Sequence, residues 1–252
     1  MRTTESSETC DAILGGLVRV YQPREGYRFS LDSVLLARFA LVRSRDRVLE
    51  LGAGCGVISL AIARLHRPRE IVALEIQPEL VAMIGRNLQL NALDSVDAIE
   101  ADLRIANDAR LLHESFDVVV ANPPYRATGA GRVSPQRGRR LARSEAFATL
   151  ADFVAASARY TRRGGSAALV FAADRTAELV AMLREQRLEP KRIRFVHPYR
   201  DAPATTVLVE ARKHGGVELA VEPPLILYHA PRVYSPEARE LLGEVASHRA
   251  AE

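Results

Sequence analysis

The sequence predicts an α/β fold in which one mostly parallel sheet of seven strands carries helices on both faces, preceded by an N-terminal hairpin. Three observations carry this. From Arg47 onward, apolar runs of strand length alternate with helical patterns, the rhythm of a parallel sheet wrapped by helices. A glycine-rich loop joins the first of those strands to the first helix. Acids or amides then stand at successive strand ends, where open α/β sheets bind ligands.

Taken in order, "GLVRVYQPREGYRFSLDSVLLARFA" reads as a hairpin turning near Pro23 to Gly26, then a short helix with Asp32 near its start. "RVLELGAG", "EIVALEI", "VDAIEAD" and "FDVVVANP" read as four successive strands. Between them, "GVISLAIARLH" and "PELVAMIGRNLQLNAL" show the spacing of three and four that places an apolar stripe on a helix. Pro78 suits the first turn of the second. "SEAFATLADFVAASARYTRR" predicts a helix stopped by Gly164 and Gly165. "SAALVFAA", a helix over about 174 to 187, "RIRFVHP" and "TTVLVEAR" complete the sheet. "VEPPLILYHAPRVYSPEARELL" predicts an edge strand and a closing helix capped by Ser235. No linker is long enough to split the chain. The expected organisation is therefore one domain, with residues 1–45 an extension packed on a catalytic core of 46–252.

Composition narrows the function. The 252 residues hold no apolar run of membrane-spanning length, and the start, "MRTTESSETCDA", is polar, so a soluble cytoplasmic protein is expected, a monomer by default. Cys10 and Cys55 form neither a disulfide framework nor a zinc spacing, so no metal is expected. The net charge is +4, and nearly all the positive charge is arginine, since Lys191 and Lys213 are the only lysines. Arginine's planar fork suits phosphate contacts, although composition by itself assigns none.

"ELGAGCG" sets Gly52, Gly54 and Gly56 at alternate positions after the first strand, so the backbone turns sharply and a ligand approaches without meeting a side chain. A dinucleotide fingerprint would need glycine at position 57 or 59, where the chain has Val57 and Ser59. Glu75 ends the second strand, where a carboxylate can accept both hydroxyls of a ribose. Asp102 ends the third. These motifs resemble those of S-adenosylmethionine-dependent methyltransferases of Rossmann-like fold, whose first motif reads E-x-G-x-G-x-G. The resemblance implies S-adenosylmethionine as cofactor: Glu50, Gly52, Gly54 and Gly56 in the loop, the glycines bordering the methionine part, Glu75 on the ribose and Asp102 at the adenine. Cys55 reads as a small loop residue.

The fourth strand runs into Asn122, Pro123, Pro124 and Tyr125. An amine conjugated to an aromatic base or an amide is a poor nucleophile, because its lone pair is delocalised. Two acceptors aimed at its hydrogens, the Asn122 side-chain oxygen and the Pro123 carbonyl, would hold it and push it toward tetrahedral geometry. Proline fixes that carbonyl, and Tyr125 offers a face for a flat substrate. The tetrapeptide resembles the signature of methyltransferases acting on the amino groups of nucleobases or glutamine, which implies catalytic roles for Asn122, Pro123 and Tyr125, contact of Asn122 with cofactor, and substrate contacts for Pro124 and Tyr125.

Beyond it, residues 126–143 hold six arginines and no acid: Arg126, Arg132, Arg137, Arg139, Arg140 and Arg143. Such a segment suits phosphates, although basic runs are also common on plain solvated surfaces. "GYRFSLDSVLLARF", "ELGAGCGVISLAIA", "NPPYRATGAGRVSP", "ARSE" and "PPLILY" together resemble the bacterial tRNA1(Val) adenine N6-methyltransferases, which modify the adenine 3′ of the anticodon. That resemblance covers nearly the whole chain. It implies an RNA partner, most simply tRNA, and places Phe29 and Asp32 over the methionine end of the cofactor; Asp32 reads equally well as a helix cap. The chain departs from the family at Ser144, between Arg143 and Glu145, where members often carry histidine. Glutamine methyltransferases of release factors share the signature but carry a helical domain ahead of the core. Guanine methyltransferases of ribosomal RNA are closer in shape. His197 and His229 read as packed or surface residues.

Overall fold

The computed structural model describes residues 7–24, 30–106, 108–125 and 148–243. Strands β1 (Glu8–Ile13) and β2 (Val18–Pro23) form the antiparallel hairpin. Helix α1 (Leu31–Phe39) follows, and then the alternating core: β3 (Arg47–Leu51), α2 (Val57–His66), β4 (Glu70–Glu75), α3 (Pro78–Asn91), β5 (Val96–Glu100) and β6 (Phe116–Ala121). Next come α4 (Leu150–Tyr160), β7 (Thr161–Ala172), α5 (Thr176–Glu185), β8 (Leu188–His197) and β9 (Thr206–Lys213). Short strands β10 (Ala220–Val221), β11 (Leu225–Ile226), β12 (Tyr228–Ala230) and β13 (Val233–Tyr234) lead to α6 (Pro236–Leu242).

The seven expected strands lie in the order β8-β9-β7-β6-β3-β4-β5, all parallel except β9, which runs antiparallel to both neighbours. Two-residue strands β10 and β11 add to the free edge of β8, extending the predicted seven to nine. The apolar strands bury both faces, as a parallel sheet between helices must. Along β6, Val118 and Val120 face one core with α1, α2 and α3, whereas Phe116, Val119 and Ala121 face a second with α4 and α5. From Val118 to Ala121 the period-two alternation of side chains divides the run between two cores, and the register irregularity between Phe116 and Val118 puts Phe116 with the second. Among the described residues no helix is long and apolar enough to cross a membrane.

The hairpin differs from the expectation. Its turn lies at Leu14–Gly16 and not near Pro23 to Gly26, because Gly15 (φ 65°) and Gly16 (φ 89°) supply the left-handed backbone that reverses the chain there. Residues 25–29 lie outside the described part. Helix α4 is also shorter than predicted. Its described N-terminus is capped at Thr149, whose hydroxyl accepts from Asp152 N while the Asp152 carboxylate accepts from Thr149 N, a reciprocal box. It ends at Tyr160, and β7 begins at once with Thr161 and runs through Gly164 and Gly165.

Two asparagines one turn apart on α3 tie the hairpin to the core. Asn87 accepts from Tyr21 N at 2.7 Å and donates to Tyr21 O at 3.0 Å and to Cys55 O, within the glycine loop, at 2.9 Å. Asn91 repeats the pairing on Arg19 N and O, at 2.9 and 2.7 Å. Two side-chain amides thereby complete the backbone hydrogen bonds of β2 that a neighbouring strand would otherwise satisfy.

Candidate active site

At the carboxyl ends of β3, β4, β5 and β6 lies a cleft of about 740 Å³, counting the mouth that opens to solvent. Gly52, Gly54, Glu75, Asp102, Asn122 and Pro124 line it, with Leu74, Ile76, Leu80, Leu103 and Phe153 as apolar walls. The sequence-expected residues therefore converge from four strand ends. Gly52 sits at φ 67°, and a Cβ there would lie 3.0 Å from the Phe153 ring, so no other residue keeps both the turn and the wall. Gly56, at φ 85°, starts α2 against Ile84 and does not line the cleft.

Glu75 is 5% exposed and fixes the floor. Its Oε2 accepts from Gly54 N at 2.8 Å, and its Oε1 from Ile76 N and Gln77 N, each at 3.0 Å. Gln77 Nε2 also donates to Oε1 at 3.3 Å, so one carboxylate sets the glycine loop against the start of α3, and Oε2, which accepts from Gly54 N, is the less committed oxygen. Asp102 is gripped by Arg104, whose Nε and Nη2 reach its two oxygens and hold its carboxyl below the ordinary range. The sequence reading missed Arg104 because nothing in its spacing marks it.

Glu50 was expected among the cofactor contacts, but it does not line the cleft. It points to the α2 side of the sheet, where its Oε2 accepts from Ser59 N at 2.9 Å and from the Ser59 hydroxyl. Gly56, the residue at the helix start, has no side chain to cap α2, so Glu50 satisfies that helix's third N–H from the neighbouring strand. Burial pushes its carboxyl up to about 8, against the opposing pull of the Ser59 bonds. With the folded value above the unfolded one, the native state holds the extra proton between about pH 4.5 and 8, so stability falls as pH rises through that window and levels off above it. Melting temperatures measured from pH 5 to 9 should show this slope, and Glu50→Gln, which keeps an acceptor for Ser59, should flatten it.

The helix start of α1 reaches the strand end of β6. Asn122 donates through Nδ2 to Ser33 Oγ at 3.2 Å, and no described residue donates to its Oδ1. Tyr125 donates its hydroxyl to Asp32 Oδ2 at 2.9 Å, while Thr206 donates to Asp32 Oδ1 at 3.2 Å and Ser30 to Oδ2 at 3.1 Å. The Tyr125 ring also meets Phe171 edge-on, with centroids 5.6 Å apart. Asp32, Pro123 and Tyr125 do not line the cleft; Pro123 is buried, Tyr125 is half-buried, and Asp32 accepts from the Tyr125 hydroxyl. Ser33 was not singled out in the sequence, where it is one small residue in an apolar helix. Phe29, Arg126, Arg132, Arg137, Arg139, Arg140 and Arg143 lie outside the described residues. Among the described residues no cluster of His, Cys, Asp and Glu could hold a metal ion.

A glycine loop tied to a buried strand-end carboxylate, with a strand-end amide in the same cleft and this strand order, fit one class: an α/β methyltransferase. The chain belongs to the methyltransferase small domain family, whose model matches residues 30–187. It is 27% identical to the tRNA1(Val) (adenine(37)-N6)-methyltransferase of Tolumonas auensis, over 88% of this chain and 91% of that one. Over a shorter stretch, 37% of this chain and 34% of the other, it is 34% identical to the release factor glutamine methyltransferase of Escherichia coli. A crystal structure described as a predicted O-methyltransferase from Agrobacterium tumefaciens matches with TM-score 0.67 and 27% identity, over 84% of this chain and 95% of that one.

Proposed function

We propose that this enzyme transfers a methyl group from S-adenosylmethionine to the exocyclic N6 amine of an adenine in RNA, the tRNA adenine 3′ of the anticodon, in the cytoplasm. The observation that carries the reading is the pinned amide: with Nδ2 spent on Ser33, Asn122 keeps Oδ1 as an acceptor. The relative matched along nearly its whole length is named for that tRNA adenine, whereas the release-factor relative matches over about a third of its own.

S-adenosylmethionine supplies a methyl group on a sulfonium, already activated, so positioning and electrostatics suffice and no strong base is required. Gly52 and Gly54 would admit the methionine part without a Cβ, Glu75 would accept from the ribose hydroxyls, and Asp102 and Leu103 would meet the adenine. Asn122 Oδ1 and the Pro123 carbonyl accept from the two hydrogens of the substrate amine, localising its lone pair toward the incoming carbon. Tyr125, held by Asp32 and Phe171, carries the base on its ring, and the methylated amine, cationic on gaining its fourth bond, releases a proton to solvent. Residues 126–143, with their six arginines, take the flanking phosphates.

Ser33→Ala tests the orienting bond. It should lower kcat about tenfold and leave KM for tRNA within about twofold, because the loss is one hydrogen bond that holds the amide in register. The reading itself is tested by mass spectrometry of nucleosides from a strain lacking this protein. Loss of N6-methyladenosine from one tRNA supports it; loss of a guanine mark, or of release-factor glutamine methylation, overturns it.

A further inference from the structure

We propose that the far edge of the sheet carries a second RNA-contacting surface, a three-tyrosine platform with two exposed arginines that binds unpaired bases and phosphates of the same tRNA about 20 Å from the methylated adenine; this rests on the tRNA reading above. Tyr228 and Tyr234 stack, with centroids 5.0 Å apart and ring planes at 18°, and Tyr199 leans on Tyr228 at 5.7 Å. The hairpin of β12 and β13 holds the first pair, and the turn after β8 holds Tyr199. Tyr199 is 41% exposed, which a purely structural ring cluster does not require. Its neighbour Arg200, and Arg232 at the hairpin tip, are both exposed, and no described carboxylate pairs with either. His229 is exposed beside them. The nearest acid in sequence is Asp201, against two arginines, so the balance is positive.

The topology directs this surface toward the active site. Strand β8 runs parallel to β6, and β11 runs parallel to β8, so the platform lies at the same carboxyl edge of the sheet as Asn122. The lateral path from β6 crosses β7, β9 and β8 to β11, four strand spacings of about 4.8 Å each. Along it lies Thr206, which holds Asp32, which in turn holds Tyr125. Flat aromatic rings accept unpaired bases irrespective of sequence, and uncommitted guanidinium groups accept phosphates. A folded RNA inserting one loop base at Tyr125 would lay neighbouring loop or stem-end nucleotides over this edge. A protein substrate would gain little from unpaired arginines, since it lacks a regular array of anions.

The test is tRNA binding and turnover by the full chain carrying Tyr199→Ala with Arg232→Ala, and separately Arg200→Ala with Arg232→Ala. The first pair should raise KM for tRNA about tenfold, from one lost stacking contact and one lost phosphate contact. The second should lessen the dependence of log Kd on log salt by about 1.4 to 1.8, the share of two phosphates. Affinity for S-adenosylmethionine, read by calorimetry, should match the wild type and shows that both variants are folded. If the wild type methylates tRNA and both variants keep its KM and salt slope, the platform is not an RNA surface and the proposal fails. If the wild type itself neither binds nor methylates tRNA, the substrate reading fails first, and the platform falls with it.

Discussion

Asn122→Ala is expected to lower kcat by about a thousandfold, the loss typical of removing one transition-state hydrogen-bond partner in a dry site, while cofactor affinity changes by about threefold at most. The asymmetry follows from the geometry. Asn122 and Pro124 line the cleft from half-buried and exposed positions, whereas Glu75, tied to the glycine loop, is buried. In the proposed mechanism the Asn122 Oδ1 acts on the substrate amine as charge develops there, which is why cofactor affinity is expected to change little. Asn122→Asp separates two parts of the role. A carboxylate keeps an acceptor for the amine but loses the donor to Ser33, so it should retain more activity than alanine and remain well below wild type. Single-turnover methylation of the cognate tRNA at saturating cofactor reads the chemical step directly.

Replacing Glu75 with alanine should remove cofactor binding and weaken the fold together. The carboxylate is buried and satisfies Gly54 N, Ile76 N and Gln77 N. Each buried N–H left without an acceptor costs about 1 to 3 kcal/mol, so the variant should lose several degrees or more of melting temperature. Affinity for S-adenosylmethionine should fall more than about hundredfold, since charge-assisted bonds to a diol disappear along with the loop geometry. Glu75→Gln keeps one acceptor and the volume, and should recover part of the stability but little of the affinity. Calorimetric binding measured beside thermal melts distinguishes the two contributions. Unchanged affinity in a folded Glu75→Gln protein would remove the ribose role.

Much of the core was legible because its signals are local. Gly52, Gly54 and Gly56, and the run from Asn122 to Tyr125, each declare a backbone requirement within a few residues, and strand ends converge wherever a parallel sheet forms. What could not be read is the pairing across the chain. Ser33 lies 89 positions from Asn122, and Asp32 lies 93 from Tyr125; only the crossing of α1 over the sheet brings them together. Asn87 and Asn91 carry no local signal of their role, because their partners are backbone atoms of a distant hairpin. The hairpin turn was misplaced because "PREG" is the stronger local turn signal, while "LGG" sits inside an apolar run. Glu50 matched its motif, yet strand alternation turns it to the α2 face, away from the ligand. Local sequence shows that a carboxylate is present and leaves its direction to register.

The central claim is that the reacting atom is an exocyclic amine held by Asn122 and Pro123. Its most direct test uses a tRNA in which the adenine at the position that the Tolumonas auensis relative's name gives as 37 is replaced by purine, which keeps the ring nitrogens and lacks the amino group. With labelled S-adenosylmethionine, the wild-type protein should methylate the adenine-containing tRNA and transfer nothing to the purine form. Comparable transfer to both would put the methyl on another atom and contradict the account.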